Sequence, residues 1–206
     1  MEWKNKLNLL HCIVTDLEAI HSQQMIHRDL HSGNILQDTL DSAYIVDLGL
    51  SIQYLKQDEQ VYGVLPYVAP EVLIKKTYSI KSDIYSFGII MWEVLYGSDV
   101  RYYYDLHDKN QDQIIQIVID YLRPPINDKA PRYYVELMEK CWDKDPETRP
   151  SAEDLCEIFK NWQYDEQILS ELNEANPIIP KSRTYENAYS GSKLISTDKI
   201  YEILNN

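Results

Sequence analysis

From residue 84 to 95 the chain carries Ile84, Phe87, Ile89, Ile90, Met91, Trp92, Val94 and Leu95 with scarcely a polar face. A helix that is apolar nearly all round has no solvent side. This one, predicted over residues 82–96 and ended by Gly97-Ser98, must sit at the centre with other helices around it. The flanking sequence supplies them. Leu10, Ile13, Val14, Leu17 and Ile20 recur at helical spacing and predict an amphipathic helix over residues 6–24. Ile114, Ile115, Val118 and Ile119 predict another over 112–121, stopped by Arg123-Pro124-Pro125. Tyr134, Leu137, Met138 and Cys141 give a third, ending near Trp142. Ser151 with Asp154 is close to a capping box, opening a helix whose inner face is Leu155, Ile158, Phe159 and Trp162.

The polar stretch 25–37 reads as a loop running into a short strand at residues 35–36, with a second strand at 43–46. Two short strands around a polar loop form a hairpin that presents residues at its ends. Residues 50–66 have no sustained period and read as an exposed segment. Beyond residue 162, residues 163–173 extend as helix, Pro177 and Pro180 break it, and residues 183–192 read as disordered or draped on the surface. Tyr102, Tyr103 and Tyr104 form either a docking surface or packing between helices, with packing the favoured reading. The core lies between residues 10 and 162, giving two segments: a body over 1–162 and a tail over 163–206.

Composition narrows the partners. With 33 Asp+Glu against 20 Lys+Arg the net charge is −13, which repels phosphate backbones and argues against nucleic acid. There is no polybasic patch for a membrane surface and no apolar run of transmembrane length. Cys12, Cys141 and Cys156 form no CxxC pair and are each expected to be buried thiols, which fits a reducing compartment such as the cytoplasm.

Five pieces stand in order along this framework. They are His27-Arg28-Asp29-Leu30-His31-Ser32-Gly33-Asn34, then Asp47-Leu48-Gly49, Ala69-Pro70-Glu71, Ser82-Asp83-Ile84-Tyr85-Ser86-Phe87-Gly88, and Arg149-Pro150. In this order they resemble the eukaryotic protein kinase family, over residues 6–162. The HRDLHSGN form is similar to tyrosine-kinase-like serine/threonine kinases, and YGVLPYVAPEVL resembles the kinase families expanded in mycorrhizal fungi. The resemblance implies a mainly α fold, a protein-kinase-like C-terminal lobe whose small β-hairpin carries the catalytic loop. It implies transfer of the ATP γ-phosphoryl group to protein Ser/Thr, with Tyr open, using ATP and Mg²⁺. Phosphoryl transfer accounts for the residue types. An attacking hydroxyl needs a fixed carboxylate, the role of Asp29. Mg²⁺ takes oxygen ligands, which Asn34 and Asp47 supply. Leu36 joins Asn34 and Asp47 in binding ATP.

By the same resemblance His27 holds the catalytic loop and the Asp47 turn. Arg28 meets a phosphate placed by an upstream kinase on the 47–71 segment, at Ser51, Tyr54 or Tyr62. Glu71 and Arg149 form the buried pair that locks the end of that segment. Asp83 accepts hydrogen bonds from the backbone at His27–Arg28. Three positions depart from the pattern, and a fourth, Tyr67, keeps it. His31 stands where Lys is typical, and imidazole is shorter and mostly neutral at pH 7. Val64 stands where a Thr hydroxyl would reach the base, Leu48 replaces Phe, and Tyr67 keeps the serine/threonine form. There is no Gly-rich loop or strand Lys upstream, so the 206 residues alone are expected to have negligible activity and to expose apolar surface. The alternative is a non-catalytic, pseudokinase-like binding or scaffolding module.

Overall fold

The computed structural model describes residues 1–39, 42–48, 52–53, 60–104, 111–175, 177–178, 191–197, 200 and 202–203, with 52–53 and 111–114 described by backbone alone. The elements run α1 (Trp3–Ser22), β1 (Met25–Ile26), β2 (Ile35–Thr39), β3 (Ser42–Ile45), β4 (Ile52–Gln53), β5 (Val61–Gly63), α2 (Pro70–Lys75) and α3 (Ile80–Tyr96). They continue α4 (Gln111–Val118), α5 (Arg132–Cys141), α6 (Ala152–Trp162), α7 (Glu166–Glu174) and β6 (Lys193–Ile195). The fold is mainly helical, as the residue patterns require, and the small strands pair antiparallel as β1–β4, β2–β3 and β5–β6.

The apolar helix is the central element. In α3, Ile84, Phe87, Ile89, Met91 and Trp92 are all buried, and even Ser82, Asp83, Ser86 and Glu93 are inside. Its start is fixed by a capping box between Ser79 and Ser82, and its end by Gly97 at φ 61°, where a side chain would be strained. Around it pack α1, through Leu7, Leu10, Ile13, Val14 and Leu17, and α5, through Tyr134 and Met138. The Ser151–Asp154 capping box forms at α6, and Phe159 meets Phe87 edge-on at 5.9 Å.

Several sequence expectations shift. Helix α1 starts earlier than residue 6, because Leu7 and Trp3 continue the buried stripe. Helix α4 ends at Val118, short of the prolines. Asp120 and Leu122 both donate to the Gln116 carbonyl while Tyr121 turns back at φ 53°. Ile117 is the fully buried residue there and Ile119 is exposed, the reverse of the expected face for Ile119. Of the three cysteines only Cys141 is buried, with its thiol pushed well up by desolvation. Cys12 and Cys156 are half-buried, since each lies at the edge of its helix's apolar stripe. Tyr103 packs edge-on against Trp92 at 4.8 Å and Tyr104 is buried, whereas Tyr102 is exposed.

Within the expected exposed segment over 50–66, the described residues 52–53 and 61–63 form strands. Strand β5 pairs with β6, with Val61 opposite Ile195, Tyr62 opposite Leu194 and Gly63 opposite Lys193. Residues 163–173 do not simply extend α6: the chain turns at 163–164 and Asp165 caps a separate helix, α7 (Glu166–Glu174), seated through buried Leu172. Of the stretch 183–192, residues 183–190 lie outside the described residues, as do Gly49, Ser51 and Tyr54.

Candidate active site

The loop from Ile26 to Asn34 crosses beneath α3 and is anchored by one carboxylate. Asp83, at the start of α3 and 1% exposed, accepts from the backbone N–H groups of His27 at 2.8 Å and Arg28 at 3.0 Å. His21 Nε2 at 2.9 Å completes its surroundings, a partner from α1 that the sequence pattern did not indicate. Arg28 adopts φ 74°, a left-handed turn stabilised by these two amide bonds.

Past the turn, His27 is fully buried. Its Nδ1 accepts from the Asp29 N–H at 3.3 Å, which leaves Nε2 to donate to the Val46 carbonyl at 3.3 Å. The imidazole thus ties this loop to the residue preceding Asp47. Asn34 makes a second tie. Its Nδ2 donates to the Asp29 carbonyl at 2.9 Å, and its own carbonyl accepts from Val46 N–H at 2.9 Å. With the amide nitrogen committed, Asn34 Oδ1 is the atom suited to a cation. Asp47, one residue beyond Val46 at the same end of the β2–β3 hairpin, is exposed with φ 62°. Leu36 pairs across the hairpin with Tyr44, and both are exposed, as is Leu48.

Asp29 is 7% exposed. Its Oδ2 accepts from the Ser192 hydroxyl at 2.5 Å, and His31 Nε2 lies 3.8 Å from the same oxygen. Burial pushes the carboxyl pKa up, but His31 and Ser192 outweigh it and hold the group below the usual carboxylate range. Oδ1 is buried without a hydrogen-bond partner among the described residues. Gly63 opens the space beside it. A Cβ there would stand 3.6 Å from Asp29 Oδ1 and 3.0 Å from Val68, at φ 143°.

His31 is held from below. The Gly33 N–H donates to its Nδ1 at 3.0 Å, so the neutral ring carries its proton on Nε2, which is 3.4 Å from the Ser192 hydroxyl oxygen. A side chain on Gly33 would come within 2.8 Å of the imidazole. Hydrogen bonds and a cation–π contact bind this centre to the segment before α2. Tyr67 donates to Glu93 Oε1 at 2.8 Å and meets Ser32 at 3.0 Å. Glu93 also accepts from Val100 N–H at 3.0 Å, and its burial raises its pKa. The Arg28 guanidinium stacks on Tyr78 at 4.4 Å, and the Tyr78 hydroxyl bonds both N–H and C=O of Tyr62. Glu93, Tyr78 and Ser192 were not singled out from sequence, since each acts through a contact distant along the chain.

Glu71 and Arg149 form a bidentate pair at 2.6 and 2.8 Å, with Arg149 at 1% exposure. Arg149 also donates to the carbonyls of Lys81 and Asp143. The end of the 60–71 segment is thereby pinned to the helical body.

The sequence matches the family described as protein tyrosine and serine/threonine kinase over residues 1–159. It is similar to the dual specificity protein kinase shkC of Dictyostelium discoideum, 34% identical over 153 residues, covering 72% of this chain and 29% of that protein. It also resembles the human ankyrin repeat and protein kinase domain-containing protein 1, 31% identical over 199 residues, covering 88% of this chain and 24% of the relative. The protein kinase and PP2C-like domain-containing protein of Arabidopsis thaliana is 26% identical over 219 residues, 90% of this chain and 32% of its own length. The chain thus spans about a third or less of these relatives, which come from an amoeba, an animal and a plant rather than marking a fungal lineage. Together with the helical fold and the loop geometry, the match shows that the chain belongs to the protein tyrosine and serine/threonine kinase family.

Proposed function

We propose that this chain forms the catalytic-loop part of a protein kinase domain that moves the γ-phosphoryl group of ATP to a protein hydroxyl, with Ser and Thr as the favoured acceptors. The observation that carries this is the rigid linkage of three oxygen-bearing groups. Asn34 is bonded to the Asp29 backbone and, through Val46, held beside Asp47. A base and two cation-ligand candidates therefore share one frame. Such pre-positioning is the main protein contribution to phosphoryl transfer.

Asn34 Oδ1 and the Asp47 carboxylate are hard oxygen donors of the kind Mg²⁺ takes. No cluster of three His, Cys, Asp or Glu side chains occurs among the described residues, so the cation would draw its other ligands from the substrate's phosphates and water. Bound there, Mg²⁺ neutralises phosphate charge. Asp29 orients the acceptor hydroxyl and takes its proton, and its lowered pKa keeps it ionised for that task at neutral pH. His31 Nε2–H presents a hydrogen bond where the usual Lys would present a full charge. The exposed apolar pair Leu36 and Tyr44 offers a surface for the adenine ring.

Arg28 is the reader of a phosphate on the 47–71 segment. Of the candidate hydroxyls, Tyr62 lies within the described residues, exposed and donating to Gln60 at 2.8 Å. Lack of phosphate on this segment in active protein would remove that role.

The test is transfer from Mg²⁺–ATP to a Ser/Thr/Tyr peptide library by the protein that carries this chain. Asp29→Asn should lower the rate by about 10²–10⁴-fold. Asp47→Ala should abolish Mg²⁺-dependent ATP binding. Transfer that survives Asp29→Asn unchanged would sink the proposal.

A further inference from the structure

Two observations meet at Ser192. Its hydroxyl donates to Asp29 Oδ2 at 2.5 Å and lies 3.4 Å from His31 Nε2, so one oxygen touches the base and its neighbouring donor together. The strand that follows it, β6, is paired in antiparallel register with β5 of the segment that leads to Ala69-Pro70-Glu71. Continuing that register puts Ser192 opposite Val64. Addition of a strand to an open edge is a standard mode of peptide recognition, in which main-chain bonds give affinity and alternate side chains give selectivity. The alternation is present here. Ile195 and Thr197 are buried, whereas Leu194 and Ser196 are exposed. Ser192 is exposed as a residue, and its hydrogen bond to Asp29 is part-buried.

We propose that residues 191–197 occupy the acceptor-peptide site of this domain and that Ser192 is an intramolecular phosphoacceptor. The inference rests on the phosphoryl-transfer reading above and deepens it by naming the acceptor. A bond forms between Ser192 Oγ and the γ-phosphorus of ATP. The bond from that phosphorus to the β–γ bridging oxygen breaks, and ADP leaves with the electron pair. The hydroxyl proton passes to Asp29 Oδ2. Once Asp29 gives that proton up to water, the product places a phosphate dianion beside a carboxylate, and their repulsion releases β6 from β5. The site so defined favours a serine in an extended segment with a β-branched apolar residue three positions later, the place of Ile195.

The experiment incubates the full protein with Mg²⁺–ATP and a degenerate Ser/Thr/Tyr peptide library in one vessel, reading phosphate on both by mass spectrometry. Phosphate is expected on Ser192, at a first-order rate that does not change on tenfold dilution, and absent in Asp29→Asn. Ile195→Asp, which keeps the hydroxyl but unseats the strand, should lower Ser192 modification at least tenfold while modification of the library rises. Phosphorylated library with unmodified Ser192 overturns this inference and leaves the kinase reading standing. A Ser192 rate that falls in proportion to dilution, or is indifferent to Ile195→Asp, overturns the intramolecular acceptor. Phosphate on neither overturns both.

Discussion

Glu71→Ala isolates the energetics of the Glu71–Arg149 pair. Arg149 is 1% exposed and spends its donors on Glu71 Oε1 and Oε2, the Lys81 carbonyl and the Asp143 carbonyl. Truncating Glu71 leaves a buried guanidinium with two donors unpaired and no counter-charge. Breaking a buried pair in this way costs about 3–5 kcal/mol. That is a large part of the roughly 5–15 kcal/mol that holds a domain together. At a urea m-value of about 2–3 kcal/mol per molar, the midpoint should fall by about 1–2.5 M. Urea titration by circular dichroism reads it directly. Two companions separate charge from shape. Glu71→Gln keeps one acceptor and should lose less than Glu71→Ala. A double variant, Glu71→Leu with Arg149→Met, removes both charges and should recover much of the loss, because an apolar replacement of a buried pair is often neutral. A Glu71→Ala loss below about 1 kcal/mol, the scale of a surface pair, would refute the claim that this pair is buried and load-sharing.

The remaining predictions probe the loop over 27–34 and its neighbours. Asp83→Ala removes the acceptor for two buried N–H groups, each costing about 1–3 kcal/mol when left unpaired, and should be read as faster hydrogen exchange at His27 and Arg28. Gly63→Ala imposes a side chain at φ 143° and against Val68, and should destabilise by about 1–3 kcal/mol in thermal unfolding. Gly33→Ala drives a methyl into the His31 ring and should cost about 1–3 kcal/mol as overpacking, with a change in the His31 ring-proton shifts by NMR. Glu93 has a folded-state pKa raised by burial, so the folded form binds its proton more tightly than the unfolded form. Its contribution is fully present below the ordinary Glu pKa and is lost as pH rises through the raised value. Wild type should therefore compare more favourably with Glu93→Gln at pH 4 than at pH 7 in urea titrations, and an opposite trend would contradict the assignment.

The helical body was legible because burial writes a period into sequence. The apolar run in α3 demanded a central position, and the stripe in α1 demanded a neighbour. The Ser151 cap was legible because its partner is three residues away. Helix α4 was misread at its end because the stop is a backbone turn at Tyr121, a residue with no preference for φ above zero, while the prolines further on gave the stronger signal. The motif residues could be placed together from their order alone, yet their fastening could not. His21 on Asp83, Gly33 beneath His31, and Tyr78 between Arg28 and Tyr62 are contacts across 62, 2 and 16 residues with no periodicity to announce them.

Ser192 marks the limit of that reading. Nothing in a polar stretch flanked by Gly191 distinguishes it from the serines around it, and a three-residue strand carries almost no pattern of its own. What places it is the edge of β5, a template whose free backbone groups take whichever extended segment brings an apolar side chain to the position of Ile195. The reach is 163 residues in sequence, so closing this loop costs entropy that three strand pairs and buried Ile195, Thr197 and Ile200 must offset. The proposed acceptor role needs that contact to be reversible, because a tail seated as firmly as α7 would stay against Asp29 after modification.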